Sequence, residues 1–185
     1  MYPVTLRGKN IEIREIEPRD VDSIARVIGA PSVLQYTTWR GPADADAAAG
    51  FVRMAWETAA AVPRTEYVMA IVDLESGEVA GSGGIRIEDA DARVGSLRVL
   101  LHPEWWNRGI GTEAARMAIN FGFGSLGLDM VEADPALENA AATSLLEAAG
   151  LRKGEIRPGH HLAPDGQRRD SVGYALTREE WASRQ

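Results

Sequence analysis

Fourteen residues, Leu101-His-Pro-Glu-Trp-Trp-Asn-Arg-Gly-Ile-Gly-Thr-Glu-Ala114, leave few folds open to this chain. The apolar run from Val99 to Leu101 reads as a buried strand, and Pro103 ends it because proline cannot donate to a ladder. An apolar helix pattern (Ala114, Ala115, Ala118, Phe121) begins near Gly111. Strand, glycine-containing turn and helix form a phosphate-binding layout. Backbone N–H groups at the helix start lack partners, the helix dipole favours an anion, and glycine permits close approach.

Two cofactor readings fit this segment. Gly109-Ile-Gly-Thr-Glu-Ala114 satisfies the G-x-G-x-x-A dinucleotide fingerprint, with Asp134 as an acidic residue further on. Against it, Pro103 to Arg108 separate the strand from the first glycine, about a hundred residues precede the motif, and only 71 follow Ala114. The second reading is acyl-coenzyme A. The segment resembles motif A of the GNAT N-acetyltransferases, most closely the branch of ribosomal-protein acetyltransferases RimJ and RimL. Trp106 stands where the wider family has Arg or Gln, a departure shared with that branch, and Asn107 replaces the branch's usual glycine.

Composition sets the remaining bounds. At 185 residues the chain suits one domain, residues 1–185, with a substantial core. The absence of cysteine excludes disulfides and thiol nucleophiles, and three histidines offer little to a metal, so no metal is expected. A net charge of −7 without a basic stripe disfavours nucleic acid and suits a cationic substrate. The sequence has neither an 18-residue apolar run nor a signal-like start, so no membrane role and a cytoplasmic location are expected.

Periodicity predicts a strand at 10–14, helices at about 18–29 and 43–61, strands at 66–73, 78–88 and 94–102, and a helix at 110–124. A short strand at 130–133, a helix at 138–149, strands at 151–156 and 171–176 around a polar loop 158–167, and a short last helix follow. The order is βααβββαβαββ, an α+β chain whose central mixed, mostly antiparallel sheet carries helices on both faces. This order is similar to the GNAT fold over nearly the whole chain, and Arg169 to Trp181 is similar to the D-x-x-x-Y-x-L-T-x-E-E-W ending common in the branch.

The resemblance implies roles. The strands 94–102 and 130–133 splay to admit the pantetheine arm of acetyl-CoA, paired by backbone amides of Leu100 and Leu101. Amides of Asn107, Arg108, Gly109, Ile110, Gly111 and Thr112 hold the pyrophosphate, Trp106 belongs to the same cofactor site, and the Arg108 side chain either adds charge there or is solvated. Asn139 corresponds to a CoA-contacting asparagine and equally suits a helix N-cap. The family's following serine is Ala142 here, which leaves Thr143, Ser144 or no residue to assist the leaving thiolate. Glu132 corresponds to a frequent catalytic base, acting through water, and His102 is the second candidate. Tyr36 and Trp39 are placed at the acceptor wall, while Asp44 and Asp46 either attract the amine or serve a helix N-terminus, the latter favoured. Adjacent His160 and His161 read as exposed residues of the terminal loop, which alternatively borders the acceptor site. The implied reaction is direct attack of a primary amine, on a protein N-terminus or a small molecule, on acetyl-CoA. The alternative from another class is a non-catalytic acyl-CoA sensor of the same fold; monomer and homodimer are both open.

Overall fold

The computed structural model describes residues 2–38 and 43–184. Eight strands form one sheet in the order β1-β2-β3-β4-β5-β6-β8-β7: β1 (Thr5–Arg7), β2 (Ile11–Glu15), β3 (Glu66–Asp73), β4 (Val79–Asp89), β5 (Val94–Leu101), β6 (Met130–Ala133), β7 (Arg152–Leu162) and β8 (Arg168–Thr177). Every neighbouring pair is antiparallel except β5 and β6, which are parallel. The helices are α1 (Val21–Gly29), α2 (Pro31–Leu34), α3 (Ala45–Ala59), α4 (Ile110–Gly124), α5 (Ala140–Ala149) and α6 (Arg178–Ala182). Among the described residues no helix is long and apolar enough to cross a membrane.

Two apolar layers sandwich the sheet. On one face Ala115, Ala118, Ile119 and Phe123 of α4 and Leu146 of α5 pack on Ile85, Leu97, Val131 and Leu176. On the other, Ile24 of α1 and Ala48, Val52 and Ala55 of α3 cover Ala70, Val72 and Val79. Side chains alternate along a strand, so Ser96, Arg98 and Leu100 of β5 and Glu132 of β6 lie on this second face. There, among the described residues, the helices cover one end of β3 and β4, and Arg98 of β5 is exposed.

Helix ends follow local chemistry. Asp44 Oδ1 accepts from the Ala47 amide at 2.9 Å and starts α3. Thr177 and Glu180 form a capping box at α6.

Three segments depart from the predicted order. β1 and α2 are additions to it. The region 158–167 is not a polar loop: β7 continues to Leu162, and only 163–167 turn. Pro158 and Gly159 are tolerated because β7 is the sheet edge, where a missing donor costs no ladder bond and a bulge is accommodated.

Candidate active site

Two features of the sheet converge on one cleft. The first is a gap between β5 and β6. Their ladder has three pairs, Val94↔Met130, Gly95↔Val131 and Ser96↔Glu132, and then stops. From Leu97 to Leu101, β5 remains paired with β4 but has no partner strand on its other edge among the described residues. This is the splay expected between 94–102 and 130–133. Successive amides in a strand point to opposite edges, so only one of the Leu100 and Leu101 amides turns to the gap, a correction to the expectation that both do. The Leu101 carbonyl accepts from the Trp106 indole N–H at 2.9 Å, which straps the following loop back onto the strand.

The second feature is the turn from β5 into α4. His102 caps a short 3-10 turn over Pro103–Trp105, its Nδ1 accepting from the Glu104 amide at 3.4 Å. Asn107 (φ 57°) and Gly109 (φ 77°) both take left-handed conformations. None of the amides from Asn107 to Thr112 has an acceptor among the described residues; the first helical bond runs from Glu113 to the Gly109 carbonyl. These donors lie at the positive end of a 15-residue helix, an arrangement that favours an anion.

The side chains of this loop are mostly structural. Ile110 is buried, and a Cβ at Gly111 would lie 2.7 Å from Leu145 Cδ1, so glycine there permits α4 to approach α5. Arg108 lies 3.5 Å from Glu75 and 3.8 Å from the buried Asp73. Burial raises the Asp73 carboxyl, but hydrogen bonds from Ser76 and the Arg108 charge outweigh it and hold the pKa below its usual value. Arg108 therefore starts from acidic neighbours, and its charge is shared with them.

On the second face, Glu132 is half-buried beside the end of the β5–β6 ladder. A shallow groove lined by Glu66, Val68, Ser82, Arg86, Arg98 and Leu100 runs along the same face. Arg86 pairs with Glu66 at 3.2 Å and Glu88 at 3.7 Å, and Ser96 donates to Glu88 at 2.6 Å. Leu100, Leu101 and Glu132 thus flank one gap, with the amides at the start of α4 at its far end. His102 lies six residues beyond Ser96, about 20 Å along the strand from the level of Glu132. Its Nδ1 is 3.2 Å from Glu104. Tyr36 is half-buried in the turn after α2; Trp39 lies outside the described residues.

Asn139 is the N-cap of α5, its Oδ1 accepting from Ala142 at 3.1 Å, which leaves its amide NH2 as the group able to reach a ligand. Thr143 donates its hydroxyl to the Ala140 carbonyl. His161 is not an exposed loop residue: it is a strand residue with 8% exposure, and burial followed by the Arg169 charge lowers its pKa.

Glu113 is a residue whose role the sequence reading missed. Its carboxylate accepts from the Lys9 amide at 2.6 Å, the Asn10 amide at 2.9 Å and Asn10 Nδ2 at 2.7 Å, so the first turn of α4 holds the β1–β2 turn. Burial pushes its pKa up, and these hydrogen bonds outweigh burial and leave it lowered. The acid in Gly-Thr-Glu was a signal, but its partner lies 103 residues away.

An Acetyltransferase (GNAT) domain model matches residues 10–152. An uncharacterised N-acetyltransferase p20 from Bacillus licheniformis is 24% identical over 178 residues, covering 96% of this chain and 98% of that protein. Mycobacterium smegmatis RimJ, solved with CoA-disulfide, superposes with a TM-score of 0.86 at 19% identity, covering 97% of this chain and 90% of RimJ. The ribosomal-protein-S5-alanine acetyltransferase of Vibrio fischeri gives 0.82 at 16% identity, over 96% and 98%.

Proposed function

We propose, for a chain that belongs to the GNAT acetyltransferase family and whose acyl donor is acetyl-CoA, that the acceptor is a primary amine, on a protein N-terminus or a small molecule. The dinucleotide reading of Gly109 and Gly111 falls with the family match. The observation that carries the reading is the run of acceptor-free amides at the start of α4, placed at the end of an unpaired strand edge. Amides from Asn107 to Thr112 hold the pyrophosphate. The open edge of Leu97–Leu101 pairs with the amide-bearing pantetheine arm and directs the thioester toward Glu132. Asn139 contributes its NH2 group.

Holding both reactants in line supplies much of the catalysis, an effect worth about 7–11 kcal/mol at best. Glu132 faces the incoming ammonium and, through a water, takes the proton that the amine must lose. Low-identity likeness to ribosomal-protein acetyltransferases supports a peptide N-terminus among the acceptors. The reading places the enzyme in the cytoplasm as a single domain.

Calorimetry with acetyl-CoA, NAD and NADP, followed by thiol release with a panel of peptides, lysine, polyamines and amino sugars, tests this. Acetyl-CoA binding with acceptor-dependent thiol release is expected. Binding without release for every amine would refute the acceptor assignment.

A further inference from the structure

Two hydroxyls placed to protonate a departing thiolate are already committed. Ala142 has none, Thr143 is committed to the Ala140 carbonyl, and the Tyr174 hydroxyl donates to Glu147 at 2.8 Å. Burial, then Glu147, pushes the Tyr174 pKa up to about 12. A different proton carrier stands on the second face. The β7–β8 register is irregular between Arg157↔Ser171 and His161↔Arg169, and Gly159 takes φ 61° there. This bulge brings His160 to β6: its Nδ1 lies 2.8 Å from Asp134 Oδ2. Arg157 approaches the same oxygen at 3.3 Å, and Asp134 Oδ1 is buried without a partner among the described residues.

A carboxylate that fixes one imidazole nitrogen leaves the other as the working nitrogen, and it stabilises the imidazolium when that nitrogen is protonated. Asp134 follows Ala133, the last residue of the strand bordering the gap, on the same face as Glu132. The His160 side chain is 57% exposed, so Nε2 is accessible. Arg157 shares the Asp134 carboxylate with it, and the neighbouring buried His161 feels the charges of Arg169, Asp134 and Glu138.

We propose that His160, oriented by Asp134, carries a proton from the acceptor nitrogen to the departing sulfur; this rests on the acetyl-transfer reading. A primary ammonium loses two protons on becoming an amide. The first leaves before attack, to the water at Glu132. When the new C–N bond has formed, the nitrogen bears one proton too many, and His160 Nε2 accepts it. As the C–S bond breaks and its electron pair stays on sulfur, His160 gives that proton to the sulfur. The thiol leaves neutral, His160 is regenerated, and one proton reaches solvent per turnover. His160 is a catalytic residue in this scheme, and Asp134 is a positioning residue.

The test is thiol release by the full chain with the best acceptor of the panel. His160→Ala and His160→Gln should each lower kcat about 100- to 10,000-fold, with the KM for acetyl-CoA unchanged. Imidazole added to the alanine variant should restore part of kcat, and Asp134→Asn should cause a smaller loss. A His160→Ala enzyme with wild-type kcat overturns the proposal, as does a loss that imidazole leaves unrelieved. If wild-type protein binds acetyl-CoA but releases thiol with no amine, the acetyl-transfer reading fails, and this proposal with it.

Discussion

Replacing Gly109 with alanine separates backbone geometry from side-chain chemistry at the anion site. Gly109 sits at φ 77°, and an added Cβ meets nothing within 4 Å, so the substitution introduces no clash. It introduces only the strain of a left-handed alanine, about 1–2 kcal/mol. The free variant relieves that strain by leaving the left-handed conformation, which disperses the amides that follow. Binding must then restore it, and the same energy appears as a weakening of about 5- to 30-fold. Gly127 is a matched control, with φ 71° and equally open surroundings in the loop beyond α4. For a domain of this size the strain kept in folded Gly127→Ala should lower its Tm by about 2–8 °C, whereas Gly109→Ala, relieved of strain in the free state, should keep a Tm near wild type. Calorimetric titration of acetyl-CoA should show the loss for Gly109→Ala and wild-type affinity for Gly127→Ala. Wild-type affinity in Gly109→Ala together with a wild-type Tm would show that the relaxed loop binds as well, and that these amides do not hold the donor.

Glu132→Gln should reduce turnover at neutral pH by about 100- to 10,000-fold while leaving acetyl-CoA binding intact. The deficit should shrink as pH approaches about 10.4, where amines lose the proton unaided; a constant deficit would assign Glu132 another role. Glu113→Gln removes a charged acceptor from three hydrogen bonds and should cost about 1–2 kcal/mol in urea unfolding. Because its folded pKa is lowered, the wild-type contribution is present above about pH 4.3 and lost as pH falls through the folded value, and the variant should lack this acid limb. His161 also has a lowered folded pKa. Below about pH 6.5 the unfolded chain binds a proton that the folded chain refuses, so stability should fall by at most about 1.4 kcal/mol between pH 7.5 and 5.5. His161→Gln should flatten that slope, and an unchanged slope would place the titration elsewhere.

Where the signal was local, the sequence was readable. Pro103 and the glycines at 109 and 111 are punctuation within one strand–turn–helix unit, and α4 spans 110–124 as its periodicity predicts. Asn139 was legible as a cap because capping is local, and the structure shows that bond. The misses involve length or distance. β1 is three residues with mostly exposed side chains, too short to show alternation, and α2 is a single turn. Pro158 and Gly159 are ordinary turn markers, and only knowing that β7 is the sheet edge makes them compatible with a strand. The His160–Asp134 contact joins different strands through a bulge, and simple alternation cannot place a side chain across an irregular register.

The gap between β5 and β6 also bears on how this protein survives. Sheets ordinarily hide or blunt unpaired edges because such edges recruit foreign strands, yet here one opens in the middle of the sheet at Leu97–Leu101. Under the proposed function the co-substrate is a missing structural member as well as a reactant. By mass action, donor at 100 times its Kd adds about 2.7 kcal/mol to the folded state. Protease resistance and refolding yield should therefore follow the metabolic supply of acetyl-CoA, so that a starved cell holds a more vulnerable population of this enzyme.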